Sequence, residues 1–102
     1  AMDKHIAYGV SKAGIIYMTK LLALEWGKYN ITANAISPTV ILTPLGRRVW
    51  ENKEGEEFKK KIPAGRFGYP EEVAACAVFL ASDAANLING ANLVIDGGFT
   101  IA

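Results

Sequence analysis

Tyr8 and Lys12 are the residues whose types and spacing best fit proton-transfer chemistry. No proline lies near them, so the segment can form a helix. On a helix, two side chains that are four residues apart lie on one face. A free phenol gives up its proton only at about pH 10, but a nearby cation and the positive end of a helix favour the phenolate. The pair could therefore exchange a proton with a substrate near neutral pH. The alternative interpretation is that the pair has no catalytic role and is simply a tyrosine at a helix start beside a surface lysine.

Hydrophobic periodicity predicts the elements that would position this pair. Residues 8–27 carry apolar side chains at helical spacing and predict a long helix. The β-branched stretch 31–36 predicts one strand, and residues 91–95 predict a second. A proline followed by two glutamates predicts the start of a helix over residues 70–82. This alternation of helices and strands indicates an α/β fold whose strands are parallel.

The segment 38–69 between the first strand and the second long helix is less regular. Residues 45–50 predict one short helix and residues 54–61 another, and Gly46 and Gly55 are expected to loosen both. The apolar side chains in these short helices fit either the lining of a binding site or a packed core.

Composition limits the class of protein. The 102 residues fit a single small domain, and 51% hydrophobic residues are enough for a folded core. A net charge of +1 without a basic stripe makes nucleic acid an unexpected partner. No apolar run approaches the roughly 20 residues of a membrane span, and neither a membrane partner nor a metal site is predicted. The single cysteine, Cys76, cannot form an intrachain disulfide, so we expect a cytoplasmic protein.

Several short motifs occur along the chain in a fixed order. They are Tyr8-Gly9-Val10-Ser11-Lys12, Asn34-Ala35-Ile36-Ser37-Pro38, Thr43-Pro44, Gly65-Arg66-Phe67-Gly68-Tyr69-Pro70-Glu71-Glu72, Phe79-Leu80-Ala81-Ser82-Asp83 and Asp96-Gly97-Gly98. Together they resemble the short-chain dehydrogenase/reductase family over essentially the whole chain. The resemblance implies the C-terminal part of a Rossmann-type, doubly wound parallel sheet, with the N-terminal strands absent. Residues 1–102 would form a single partial domain.

The resemblance also implies roles for Tyr8 and Lys12. Tyr8 would be the catalytic acid or base that exchanges a proton with an alcohol or carbonyl substrate. Lys12 would hydrogen-bond the nicotinamide ribose and favour the phenolate form of the tyrosine. The implied activity is hydride transfer between NAD or NADP and a small alcohol or carbonyl compound.

Further residues of a nicotinamide site follow from the same resemblance. Pro38 would shape the turn beneath the nicotinamide ring, while the backbone of Ile41 and the hydroxyl of Thr43 would hold the carboxamide. Thr39 stands where the family normally has glycine, so its side chain could narrow this pocket or alter the turn. Residues from about 43 to 65 would form a mobile flap over the substrate. Thr43 could instead be only the N-cap of a helix that begins with proline.

The family's glycine-rich phosphate-binding turn has no counterpart here. Gly9 and Gly14 fall inside the predicted first helix, and no helix can follow Gly97-Gly98. We therefore expect the isolated chain to bind NAD or NADP poorly and to be inactive alone. The alternative is a non-catalytic remnant that acts only through self-association. In either case we expect a homo-oligomer formed through the 8–27 helix and the last strand, because an incomplete sheet exposes apolar faces.

Overall fold

In the computed structural model, residues 3–102 are described and combine helices with a two-stranded sheet. The main elements, in chain order, are α1 (Ile6–Trp26), β1 (Ala35–Pro38), α2 (Pro44–Trp50), α3 (Lys53–Lys59), α4 (Pro70–Ala81) and β2 (Asn92–Ile95). Short 3-10 turns follow α1, α4 and β2, at Gly27–Tyr29, Asp83–Ala85 and Phe99–Ile101. The predicted α/β alternation and the two predicted short helices are confirmed.

The long first helix is continuous across the proposed catalytic pair. It begins at Ile6, two residues before the predicted start, so Tyr8 lies in its first turn. After the following 3-10 turn, Asn30 adopts a left-handed conformation with φ 60°. Asparagine tolerates this conformation better than most residues, which lets the chain leave the helix and turn towards β1.

The bounds predicted for the first strand were wrong. The strand lies at Ala35–Pro38 rather than 31–36, because side-chain amides engage the backbone before it. The Asn34 amide donates to the Ile88 carbonyl at 3.0 Å and accepts from the Ala91 N–H at 2.9 Å. The Asn89 amide accepts from the Ala33 N–H at 2.9 Å and donates to the Ala23 carbonyl of α1 at 3.2 Å. These bonds replace the ladder that residues 31–34 would otherwise make.

The strands β1 and β2 pair in parallel, as predicted, with Ala35 beside Asn92 and Pro38 beside Ile95. The N–H groups of Ala35 and Thr39 donate to the carbonyls of Ala91 and Ile95 at 2.8 and 3.1 Å. Successive backbone N–H groups point to opposite edges of a strand, so the nitrogen of Pro38 points away from β2. The proline therefore removes no hydrogen bond from this pairing.

Burial of apolar side chains is smaller than the composition suggested. Phe67 is 2% exposed, whereas Leu24 and Leu87 are 79% and 98% exposed. The apolar side chains of α4 are only partly buried: Val73 is half-buried, but Val78 is 71% exposed. Much of the apolar surface of both long helices therefore has no packing partner within residues 3–102.

Gly46 and Gly55 do not loosen the short helices, contrary to the expectation. A Cβ atom on Gly46 would overlap the Ile41 carbonyl oxygen, and one on Gly55 would overlap the Trp50 carbonyl oxygen. Both glycines therefore allow the start of a helix to lie directly against the preceding backbone. Their N–H groups donate to the N-cap side chains at 3.0 Å (Thr43, α2) and 2.9 Å (Asn52, α3).

An ion pair fixes the start of α4. The Arg66 guanidinium donates to both carboxylate oxygens of Glu72, at 2.7 and 2.9 Å. The same carboxylate accepts from the Tyr69 N–H at 3.0 Å, so it also caps the helix. The hydrogen bond from Arg66, followed by that from the Tyr69 backbone, lowers the pKa of Glu72 to about 2. The pair therefore stabilises the ionised carboxylate of the folded chain.

This geometry predicts how acid affects stability. Because the pKa of Glu72 is lower in the folded chain than its ordinary value of 4.5, its contribution is present above pH 4.5 and is lost as the pH falls towards 2. Glu72→Gln should lower the Tm at neutral pH, and the Tm difference from wild type should shrink between these pH values. Thermal unfolding followed by circular dichroism measures this difference. Glu71→Gln, at an exposed neighbouring position, is the control, and equal acid sensitivity of wild type and Glu72→Gln would contradict the prediction.

Candidate active site

The first turns of α1 present Tyr8 and Lys12 together. The Lys12 Nζ atom lies 5.3 Å from the centroid of the Tyr8 ring, as their four-residue spacing predicts. The His5 ring contacts the Tyr8 ring edge-on, with centroids 6.0 Å apart. Tyr8 is 60% exposed, so its hydroxyl is accessible to a bound molecule. The helix therefore holds a phenol and an ammonium group side by side at an open surface.

Both side chains line a cleft of about 810 Å³. Its wall is formed by residues of α1, β1, β2 and the turn after β2: Tyr8, Lys12, Ile15, Ile16, Ala35, Ile36, Ser37, Pro38, Thr39, Asn92, Val94, Asp96, Phe99 and Thr100. Four of the six residues predicted for the site meet here, namely Tyr8, Lys12, Pro38 and Thr39. Thr39 and Asp96 directly follow the two strands, so the cleft reaches the carboxyl ends of a parallel sheet, where ligands bind in open α/β folds.

The other two predicted residues, Ile41 and Thr43, do not line this cleft. Ile41 forms an isolated parallel bridge with Gly68. The hydrogen bonds of this bridge are made by the residues on either side of Ile41: the Leu42 N–H donates to the Gly68 carbonyl, and the Val40 carbonyl accepts from the Gly68 N–H. The Ile41 N–H has no hydrogen-bond partner within residues 3–102. Thr43 is the N-cap of α2, as the alternative interpretation proposed, and its oxygen accepts from the Gly46 N–H. Its own O–H has no acceptor among the described residues, so both residues keep a donor for a ligand.

Asp96 also lines the cleft, although it was not among the predicted site residues. Its carboxylate accepts from the Gly98 N–H at 2.9 Å, the Thr100 N–H at 2.8 Å and the Thr100 hydroxyl at 2.7 Å. These bonds, the Thr100 hydroxyl first, lower the pKa of Asp96 below its ordinary value. An aspartate directly after a strand, with Gly-Gly next and threonine four residues on, is the sequence signal that could have indicated this turn.

The described residues fit one end of a nicotinamide dinucleotide better than the other. The N–H of Ile41 and the hydroxyl of Thr43 are donors that suit a carboxamide, and Lys12 offers three N–H donors for ribose hydroxyls. For the pyrophosphate, a glycine-rich turn leading into an α-helix is required, and none occurs within residues 3–102. Gly97 and Gly98 have φ of 63° and 92° but lead into a 3-10 turn.

No group of three or more His, Cys, Asp or Glu side chains is arranged to hold a metal ion within residues 3–102. None of the helices there combines the length and apolar character that a bilayer span needs.

Comparisons with known proteins identify the family. The family model described as enoyl-(acyl carrier protein) reductase matches residues 1–100. The NAD-dependent glycerol dehydrogenase of Listeria innocua serovar 6a is 68% identical over 101 residues, covering 99% of this chain and 40% of that protein. The D-threitol dehydrogenase of Mycolicibacterium smegmatis is 58% identical and covers 99% of this chain and 39% of that protein.

A solved structure is similar over the whole chain. It is a short chain dehydrogenase family protein from Francisella tularensis subsp. tularensis SCHU S4, with a TM-score of 0.89, 34% identity, and coverage of 100% of this chain and 46% of that chain. The chain therefore spans about 40% of the length of the curated relatives it matches. It belongs to the short-chain dehydrogenase/reductase family, and its fold is a C-terminal part of that family's Rossmann-type parallel sheet.

Proposed function

We propose that this chain supplies the catalytic helix of an NAD(P)-dependent dehydrogenase that oxidises a secondary alcohol of a small polyol. The observation that carries the proposal is the position of Tyr8 and Lys12, side by side in a cleft at the carboxyl ends of two parallel strands. The relatives named above act on glycerol and D-threitol, which supports a polyol substrate, and one of them is NAD-dependent.

We also propose a cytoplasmic location, since the single cysteine forms no intrachain disulfide.

Tyr8 would move the proton of the reaction. In the oxidising direction its phenolate accepts the hydroxyl proton of the alcohol, and in the reducing direction its phenol returns that proton to the carbonyl oxygen. The Lys12 Nζ atom lies 5.3 Å from the centroid of the Tyr8 ring, and its ammonium would hydrogen-bond the nicotinamide ribose beside the tyrosine. A bound nicotinamide would accept or supply the hydride.

The remaining predicted residues would position the nicotinamide. Thr39 has its backbone fixed by the hydrogen bond to the Ile95 carbonyl, so its side chain has a defined place at the cleft. Pro38 shapes the same turn from the last position of β1. Ile41 and Thr43 would donate hydrogen bonds to the carboxamide through the N–H and O–H groups that lack protein acceptors. The flap, about 43–65, begins at Thr43 and would cover the bound substrate.

The isolated chain would still bind cofactor poorly. The described residues offer donors for the nicotinamide ribose and carboxamide but no backbone N–H cradle for the pyrophosphate. We infer that residues 1–102 need a further segment, from the same or another chain, to complete the site.

Self-association without catalysis is the second candidate function, and a stripe on α1 favours it. Val10, Tyr17 and Leu24 are seven residues apart, and they are 69%, 64% and 79% exposed. At 100° per residue they share one helix face, nearly opposite the face that carries Tyr8 and Lys12. Seven-residue spacing of apolar side chains is typical of helices that pack against another helix. A second copy could therefore pack on this stripe and leave the cleft open, and the exposed strands could pair in the same way.

Tyr8→Phe tests the catalytic proposal. We expect polyol oxidation to fall by about 10²–10⁴-fold in kcat, because the variant lacks the group that exchanges the proton. The assay follows NADH formation from glycerol and D-threitol in a chimera that joins residues 1–102 to the part of the Listeria innocua relative that this chain does not match.

Tyr29→Phe is the matched control for that experiment. Tyr29 is 64% exposed and has the Lys28 Nζ atom 5.2 Å from its ring centroid, so it repeats the local chemistry of Tyr8 outside the cleft. Its substitution should leave kcat unchanged. Equal loss in both variants, or full activity of Tyr8→Phe, would remove Tyr8 from the mechanism.

Cofactor titration tests the need for a further segment. Residues 1–102 alone should show no saturable binding of NADH or NADPH below about 1 mM by calorimetry, because the pyrophosphate has no cradle. The chimera should bind one of them in the micromolar range. Micromolar binding by the isolated chain would refute the inference that a further segment is needed to complete the cofactor site.

Light scattering after gel filtration tests self-association. The chain should elute as a dimer or larger species that dissociates on dilution, and Leu24→Glu should shift it towards monomer by placing a charge on the stripe. Leu87→Glu replaces an even more exposed leucine outside α1 and should leave the size unchanged. A wild-type chain that stays monomeric at every concentration would contradict the second candidate.

A further inference from the structure

Four aromatic side chains, Trp50, Phe58, Phe67 and Phe99, form a cluster beside the cleft. The Phe58 ring is its centre, with centroid distances of 5.2 Å to Trp50, 6.1 Å to Phe67 and 5.0 Å to Phe99. Phe67 is the largest fully buried side chain of the described part of the chain. The other three rings are half-buried, so the cluster is a partly covered core built around Phe67.

The members of the aromatic cluster come from separate segments. Trp50 ends α2 and Phe58 lies in α3, so both belong to the flap. Phe67 precedes α4, and Phe99 lies in the glycine turn, defined here as residues 97–101. Contact between Phe58 and Phe99 therefore joins the flap directly to the glycine turn.

A second set of contacts holds the same two segments together. The Ala64 N–H donates to the Gly97 carbonyl at 3.0 Å. A Cβ atom on Gly97 would lie 2.9 Å from the Ala64 Cβ, and one on Gly98 would lie 3.0 Å from the Pro63 Cγ. The glycine turn can approach the end of the flap this closely only because neither glycine has a side chain.

The other side of the glycine turn faces the candidate active site. Phe99 and Thr100 line the same cleft as Tyr8 and Lys12. Asp96 fixes the turn by accepting hydrogen bonds from Gly98 and Thr100. Phe99 therefore touches α3 of the flap and also forms part of the cleft wall.

We propose that Phe99 is a positioning residue through which the flap helix α3 sets the shape of the substrate cleft. Its ring packs on Phe58 at 5.0 Å while it lines the cleft, so a displacement of α3 moves the cleft wall. The kinetic consequence rests on the proposed dehydrogenase function. The mechanical coupling between α3 and the glycine turn does not depend on it. Phe99 takes no part in proton transfer, so its effect falls on substrate binding.

Phe99→Leu and Phe99→Ala test this coupling by two readouts. In the chimera, KM for the polyol should rise on the order of tenfold in Phe99→Leu while kcat changes by less than about threefold, because the wall is displaced and Tyr8 is not. In the 102-residue chain, backbone amides of residues 53–59 should exchange hydrogen about tenfold faster in Phe99→Ala, with α4 unchanged. Phe79→Leu, at an exposed aromatic position of α4, is the control for both readouts.

Each outcome decides the inference. Unchanged exchange in residues 53–59 of the alanine variant, or equal exchange changes in α3 and α4, would overturn the coupling. A fall in kcat as large as the rise in KM would show that Phe99 supports the fold generally, which also overturns the proposal. If the wild-type chimera oxidises no polyol, the proposed function fails, and hydrogen exchange alone then confirms or refutes the coupling. If Phe99→Ala does not fold, exchange in Phe99→Leu, which keeps an apolar side chain, takes its place.

Discussion

Parallel pairing of β1 with β2 is the constraint on which the candidate site depends. The register places Pro38 beside Ile95, so the residues that follow the two strands, Thr39 and Asp96, emerge at one edge. Antiparallel pairing of the same strands would send these residues to opposite edges of the sheet. α1 contacts β1, and its first turns bring Tyr8 and Lys12 to that edge. The cleft is therefore a consequence of strand direction combined with the length of the helix.

The pairing itself is supported by unusually polar contacts. A two-stranded parallel sheet buries little apolar surface and is marginal alone. Here the amides of Asn34 and Asn89 connect the approach to β1 with the approach to β2 and with α1. The Ser37 hydroxyl also donates to the Asn92 amide oxygen across the strands at 2.5 Å. Side-chain hydrogen bonds thus fix the register where the small apolar core cannot.

The exposed apolar surface and the lack of a pyrophosphate-binding turn within residues 3–102 have the same physical origin. A Rossmann-type sheet buries helices on both faces and binds the dinucleotide at the carboxyl ends of several strands. Residues 3–102 contain two such strands, so much of the apolar surface of α1 and α4 remains exposed, and these residues include no glycine-rich turn that leads into an α-helix. A local core does form where the Trp50 and Phe58 rings pack beside the buried Phe67 ring.

The sequence by itself determined the elements and the family. Apolar periodicity, proline at a helix start and the Tyr8–Lys12 spacing are local properties, and each predicted a feature that the structure has. The motif order over the whole chain identified the short-chain dehydrogenase/reductase family, which the comparisons confirm. Roles for Pro38, Thr39, Ile41 and Thr43 came from resemblance alone and remain predictions.

Only the tertiary structure decided the strand bounds and the contacts of Gly46 and Gly55. The strand starts late because Asn34 meets backbone groups 54 and 57 residues away, a distance that no local pattern encodes. The glycines are required by the carbonyls of Ile41 and Trp50, which become close neighbours only after the chain turns. Propensity and spacing act within a few residues, so they could not locate the strand start, which depends on distant groups that meet when the chain folds. The glycine contacts join nearby residues, but they depend on the geometry of the intervening turn, which residue spacing does not fix.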